Sequence, residues 1–307
     1  MKCLITGANG FIGWHLAAYL QSCGQEVSGF GEAAAASAPG VTWYRGSVLD
    51  RAALAQALRQ VRPDLIFHLA AKSLPVRSWE NPASTFSVNV EGTLNLYDAV
   101  RAEVPSCRIV TAGSSAEYGV SPHGEPIRED AVLAPSSPYG VSKLAVSHLS
   151  RLYHAAYGLD IIVVRPFFLI GTRKMGDICS DFARGIVAIE RGGAETLRVG
   201  NLEAVRDLMD VRDGVRAFQV LAQRGLAGQC YNICRGAGTR MADVLKTYEE
   251  LAGVPVRVHK DPSLMRPVDE PVKVGCAERL LALGWKPCFG LKDSLRTILD
   301  YWRSQLV

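Results

Sequence analysis

No apolar run in these 307 residues approaches the ~18 that a membrane-crossing helix needs. The chain does not open on a charged, then apolar, then small-residue segment either. MKCLITGANG becomes glycine-rich within seven residues, so no secretory leader is expected and the cytoplasm is the expected compartment. Thirty-four Lys and Arg against 30 Asp and Glu leave a net charge of only +4, with the basic residues scattered. A nucleic-acid surface would concentrate them in a stripe, so no nucleic-acid partner is expected. Close cysteine pairs are scarce as well. Cys230 and Cys234 alone are near one another, and the other six are dispersed. Zinc sites favour repeated C-x-x-C pairs, so reduced structural thiols and no metal are expected. Internal repeats and low-complexity linkers are absent, apart from the alanine-rich EAAAASAPG at 32–40, which reads as a loop.

What the chain does have is alternation. KCLIT, EVSGF, VTWYR, LIFHLA, RIVTA and DIIVVRP read as strands. FIGWHLAAYLQSC, RAALAQALRQV, residues 82–104 and residues 138–157 read as helices between them. Strands separated by helices require right-handed crossovers and hence a parallel sheet. The fold class is therefore α/β, a Rossmann-type doubly wound sheet over residues 1–166, followed by a smaller α/β unit over 167–307. QCYNICRG near 229 reads as one more buried strand, which would return the chain to the first sheet at 229–234.

The first βα turn, T-G-A-N-G-F-I-G, spaces Gly7, Gly10 and Gly13 as G-x-x-G-x-x-G. Gly7 permits the tight turn, Gly10 lets backbone approach a pyrophosphate, and Gly13 lets the helix pack on the strand. The diphosphate of a dinucleotide would then sit on free N–H groups of the helix N-terminus. Glu32 follows the second strand, where an acid would bond the adenosine ribose and repel a 2′-phosphate. No Arg or Lys stands within a few residues of it, so the lean is to NAD(H) over NADP(H). In SSPYGVSKLAV, Ser137 can cap a helix with Pro138 at its first position, which places Tyr139 and Lys143 one turn apart on one face. A phenol of pKa ~10 is a poor acid at neutral pH, and a neighbouring ammonium would draw it downward.

Together, G-x-x-G-x-x-G at 7–13, HLAA at 68–71, N-V-x-G-T at 89–93, GSS…YG at 113–119 and Y-x-x-x-K at 139–143 resemble the extended short-chain dehydrogenase/reductases. The later segments GNLEAVRDLMDVRD (200–213), YNICRGAGTR (231–240), MRPVDEP (265–271) and LGWKP (283–287) are most similar to the GDP-6-deoxy-4-keto-lyxo-hexose reductases, which form GDP-rhamnose. The resemblance implies Ser114, Tyr139 and Lys143 as the catalytic set. Ser114 would bond the reacting oxygen and Tyr139 act as acid-base. Lys143 would hold the nicotinamide ribose and lower the tyrosine pKa. Gly7, Gly10, Phe11, Ile12, Gly13, Glu32, Val48, Leu69, Ala70, Ala71 and Pro166 would join Tyr139 and Lys143 around NAD(H) or NADP(H). Ser73, Ser115, Phe168, Arg206, Arg266 and Asp269 would line the site of a nucleotide sugar, expected to be GDP-linked. A homodimer paired through the helices at 82–104 and 138–157 is also implied.

Three positions depart from the relatives' pattern. Phe168 stands where an asparagine is usual, Ser47 where an aspartate is, and Asp269 where a glutamate often is. In the related 4,6-dehydratases a glutamate base stands two residues after the serine, and here that residue is Ala116. On an extended segment Ala116 would share a face with Ser114, and Glu117 would point away. The expected reaction is reduction of a 4-keto-6-deoxy nucleotide sugar. A 4-epimerase with tightly held NAD and a 4,6-dehydratase are the alternatives.

Overall fold

Near-continuous apolar runs become the buried strands of a sheet covered on both faces, as parallel sheets require. The computed structural model describes residues 1–32, 38–119, 124–264 and 270–305. Most of the alanine-rich stretch expected as a loop lies outside them, as do Arg266 and Asp269. In chain order the first elements are β1 (Lys2–Thr6), α1 (Phe11–Ser22), β2 (Glu26–Gly31), β3 (Thr42–Arg45), α2 (Arg51–Val61) and β4 (Leu65–His68). They are followed by α3 (Pro75–Glu80), α4 (Pro82–Phe86), α5 (Gly92–Glu103), β5 (Arg108–Ala112), α6 (Pro138–Tyr157) and β6 (Ile161–Pro166). Beyond Pro166 come β7 (Phe168–Ile170), α7 (Ile178–Glu190), β8 (Leu197–Val199), β9 (Val205–Asp210), α8 (Val211–Arg224) and β10 (Cys230–Ile233).

Seven strands form one parallel sheet in the order β10-β6-β5-β4-β1-β2-β3. The order reverses between β1 and β4, where Thr6 and His68 are register partners. Such a reversal opens a crevice beyond the carboxyl ends of the strands, the place where ligands bind this class of sheet. The helices that flank the crevice are fixed locally. Asp50 caps α2 by accepting from the Ala52 and Ala53 N–H groups. Ser137 accepts the Gly140 N–H at the start of α6, with Pro138 next to it, and Gly158 closes that helix at φ +69°. The Ser137 cap and Pro138 expected at the start of α6 are both found.

One face of the sheet packs on α1 and α8, where Phe67 and Phe218 meet edge to face at 6.3 Å. The other face packs on α2 and α5. The chain leaves this sheet at Pro166 and builds a smaller one in which β7 and β9 pair in parallel. It returns through α8 to β10, which pairs with β6 from Cys230↔Val163 to Ile233↔Pro166. The strand expected near 229 is therefore the seventh of the first sheet.

The long helix expected over 82–104 is not uniform. Between α4 and α5, residues Ser87–Glu91 form a wider turn with i→i+5 hydrogen bonding. That turn carries Asn89 inward, where it is buried and exchanges hydrogen bonds with the Lys72 backbone. A wide turn inside a helix commonly marks a functional position.

Candidate active site

At the end of β1, Gly7 adopts φ +73°, and a Cβ there would sit 2.9 Å from the Ala70 backbone. Only glycine allows both the turn and this close approach. A Cβ on Gly13 would lie 2.3 Å from the Gly7 carbonyl oxygen, so the helix could not lie so close with any other residue. No side chain caps α1 and no acid stands in its first turn. Its N-terminal N–H groups, with Phe11 and Ile12 half-buried against the core, make a cradle for an anion. A dinucleotide diphosphate fits that donor set.

The crevice wall is held from two sides. The Ala70 N–H donates to Thr6 Oγ1 at 3.2 Å and the Leu69 N–H to the Thr6 carbonyl at 3.1 Å. The Lys72 N–H donates to Asn89 Oδ1 at 2.8 Å. Ala71 is half-buried between these anchors, and Ser73 just beyond is exposed. Val48 is buried against α5, close enough that a Cβ on Gly92 would meet it at 2.6 Å. Glu32 is exposed at the end of β2. Its neighbour Gly31 is the register partner of Arg45, which is also exposed. The lean to NAD(H) rests on Glu32 and on the lack of a basic residue close to it in sequence, and the pairing of β2 with β3 brings Arg45 to the strand beside it.

The three residues expected to be catalytic come together where β5 ends. Ser114 Oγ accepts the Ala116 N–H at 3.1 Å and lies near enough to the Tyr139 phenol to oppose the rise of its pKa. The backbone N–H of Tyr139 is held by Ser78 Oγ at 3.2 Å. One turn on, Lys143 Nζ donates to the Ala112 carbonyl at 2.7 Å. Burial pushes the phenol up to about 12, Ser114 opposing and Glu117 reinforcing. Burial likewise pushes the Lys143 ammonium down to about 8, with Glu117 opposing. The expectation that Lys143 draws the phenol towards neutrality is therefore not met in this structure. Removal from water dominates, Lys143 is not among the groups that move the phenol, and Tyr139 is held as a neutral phenol, the form that donates a proton.

TAGSSAEYGV is not extended after the serine, as the alternation of side chains assumed. Ser115–Glu117 is one tight helical turn capped by Ser114, with Ser115 buried. Glu117 points away from the crevice all the same, for a different reason. It is wholly buried, and its Oε1 accepts the Ser114 N–H at 2.8 Å. Its Oε2 accepts Ser147 Oγ at 2.7 Å and Arg165 Nε at 2.8 Å. Burial raises the Glu117 carboxyl, while Arg165 and these donors pull it back.

On the second layer, Phe168 is half-buried with the Arg206 guanidinium over its ring at 5.4 Å. Arg206 is buried and donates to the Val205 and Glu270 carbonyls. The phenyl ring that replaces the usual asparagine thus gives the guanidinium a face to stack on. Pro166, half-buried at the end of β6, lies on the crossing between the two layers.

Sequence reasoning missed a buried chain of hydrogen bonds behind this wall. His68 bridges Thr6 Oγ1 at 2.8 Å and Thr93 Oγ1 at 2.9 Å. Thr93 bonds the Asn89 carbonyl, and Asn89 Nδ2 bonds Ser142 Oγ. Burial, then Lys143, pushes His68 down to about 3, so the imidazole is neutral there. The motifs HLAA and N-V-x-G-T contain His68, Asn89 and Thr93, but neither spacing reveals that they meet. Among the described residues, no cluster of His, Cys, Asp or Glu could hold a metal ion, and no helix is long and apolar enough to cross a membrane.

Comparison with known proteins gives a consistent picture. The model of the NAD dependent epimerase/dehydratase family matches residues 3–234. The GDP-6-deoxy-D-mannose reductase of Pseudomonas aeruginosa is 32% identical over 99% of this chain and 98% of its own. A solved structure of RMD from Pseudomonas aeruginosa complexed with NADPH superposes with a TM-score of 0.87 over 99% of this chain and all of that one, at 32% identity. The Thermus thermophilus UDP-glucose 4-epimerase in complex with NAD gives 0.91 at 30% identity, over the same shares.

Proposed function

Because the chain belongs to the NAD-dependent epimerase/dehydratase family, we propose that it reduces the 4-keto group of a nucleotide-linked 6-deoxyhexose. The substrate we assign is GDP-4-keto-6-deoxymannose, and the product GDP-rhamnose or its C4 epimer. The observation that carries this reading is the crevice chemistry: a phenol held protonated beside a serine, with no carboxylate from the 114–117 turn aimed at the reacting carbon. A dehydratase needs a base two residues after Ser114, and Ala116 has no titratable group.

Gly7, Gly10 and Gly13 with the α1 N-terminus would hold the cofactor diphosphate, and Val48 and Leu69–Ala71 its adenosine and nicotinamide walls. Reduced NAD(P)H supplies the hydride to C4. Tyr139 gives its proton to the carbonyl oxygen as charge develops there, and Ser114 steadies that oxygen. Lys143, one turn further along α6, would stabilise the phenolate that results. Residues 167–307 would form most of the nucleotide-sugar site. Arg206 and Arg266 would serve the diphosphate, with Ser73, Ser115, Phe168 and Asp269 near the sugar and nucleoside.

A 4-epimerase that retains its NAD is the second reading, supported by the likeness to the Thermus thermophilus enzyme. The two separate in one assay. A reductase consumes one NAD(P)H per GDP-4-keto-6-deoxymannose and leaves UDP-glucose untouched. An epimerase interconverts UDP-glucose and UDP-galactose with no added cofactor. GDP-mannose with NAD alone should yield no ketosugar, and its appearance would establish the dehydratase instead.

The chain is also proposed to be a homodimer. Val141, His148 and Leu152 lie exposed at helical spacing along α6, with Ala145 half-buried between them. Exposed Tyr157 ends that stripe beneath the Arg101 guanidinium of α5. An exposed stripe of this kind along one helix suits burial against a second copy. Light scattering in dilute solution should give twice 33.2 kDa, and a value of 33.2 kDa would refute the dimer.

A further inference from the structure

Glu117 sits where three separate parts of the site converge. Through Oε1 it holds the backbone N–H of Ser114. Through Oε2 it holds Ser147, one turn beyond Lys143 on α6, and Arg165 on β6. Both side chains of the Glu117–Arg165 pair are fully buried. Arg165 continues the network to the Tyr118 hydroxyl at 2.9 Å and the Glu129 carbonyl, and Tyr118 donates to Asn232 on β10. A buried carboxylate spending all its acceptors in this way fixes whatever it touches. It touches the serine's backbone on one side and the tyrosine's helix on the other.

We infer that Glu117 is a positioning residue. It clamps the Ser114 turn to α6 and so sets the approach of the serine hydroxyl to the Tyr139 phenol. Glu117 itself stays out of the crevice and acts only through Ser114. The inference rests on the reductase reading for its turnover measurement alone, because its second measurement needs no substrate.

Two variants test it. Glu117→Asp keeps the charge opposite Arg165 but withdraws the carboxylate by one methylene, so it cannot reach all its partners at once. Ser147→Ala leaves the Glu117–Arg165 pair intact and removes only the tie to α6. Each should lower kcat by roughly 10- to 100-fold, the scale of a small misplacement of reacting groups, while KM for ketosugar and cofactor stays as in the wild type. Ser147→Thr, which restores a hydroxyl, should recover most of the loss. The second measurement is the ζ-carbon resonance of Tyr139 in 13C-tyrosine-labelled protein, assigned by its disappearance in Tyr139→Phe. In both variants it should move from its wild-type position towards that of Ser114→Ala, which lacks the hydroxyl altogether.

A purely structural Glu117 would lower the melting temperature and leave both kcat and that resonance unchanged. This result in the folded variants would overturn the inference. If Glu117→Asp fails to fold, Ser147→Ala decides by the same two measurements. If the wild type does not turn over the ketosugar, the reductase reading fails, and the resonance alone decides for or against the clamp.

Discussion

Tyr139→Phe should lower ketosugar turnover by about 100-fold or more, the scale of a lost general acid, and leave cofactor affinity as it was. The substitution removes one oxygen from a buried ring. The Ser137 cap, Pro138 and the Ser78 bond to the Tyr139 backbone all remain, so α6 keeps its start. What is lost is the proposed proton donor beside Ser114. Steady-state kcat with a fluorescence titration of NAD(P)H measures the two halves of the expectation, and a variant with near-normal kcat removes Tyr139 from the proton transfer. The same site fixes a pH profile. A phenol pushed up to about 12 stays protonated through the neutral range, so the acid form is not limiting there. Lys143, pushed down to about 8, loses its charge first as the pH rises. The ammonium is present below that value and absent above it, and it stabilises the phenolate left after proton transfer. Reduction should therefore be level below about pH 8 and decline above it.

Gly13→Ala should abolish detectable cofactor binding and destabilise the chain even without cofactor. Its new methyl would lie 2.3 Å from the Gly7 carbonyl oxygen and 2.8 Å from the Ala8 Cα, and both are backbone that no side-chain rotation can move. Helix α1 must then shift off the glycine turn, with the cost of overpacking at about 1–3 kcal/mol or more. The cradle of N–H groups moves with it. Gly10→Ala is the useful contrast. A Cβ there meets only the Gly7 oxygen, at 3.2 Å, so the chain should fold with nearly its normal melting temperature. It should still bind NAD(P)H more weakly, because the methyl projects where a pyrophosphate must approach. If Gly13→Ala binds cofactor normally, the glycine turn is not the diphosphate site.

The sheet was legible because its strands are buried on both faces and read as unbroken apolar runs. Even the return of the chain at Cys230–Ile233 announced itself in this way. The placing of Tyr139 and Lys143 one turn apart was legible because their spacing within one helix is local. The turn at Ser115–Glu117 was not, because its conformation depends on Ser147 and Arg165, 30 and 48 positions from Glu117. Alternation along an extended strand gave the right orientation for Glu117 from the wrong backbone. The place of Arg45 beside Gly31 was hidden for the same kind of reason, since parallel pairing of β2 and β3 joins residues that sequence separates. The pKa of Tyr139 could not be read from Y-x-x-x-K either. Spacing shows a neighbouring cation but not the depth at which both groups are buried.

The place of β10 in the sheet also bears on how the protein is made. β6 is complete at Pro166, yet its outer neighbour is not synthesised until Ile233. At about 5–20 residues per second, translation leaves that edge open for roughly 3–13 seconds, longer while the ribosome still covers the new strand. During that interval Ile161–Val164 offers a row of unpaired N–H and C=O groups flanked by apolar side chains, the arrangement that recruits strands from other molecules. Chains terminated between Pro166 and Cys230 should therefore collect in inclusion bodies, and slow codons placed just upstream of Cys230 should lower the soluble yield of a protein whose finished form is unchanged.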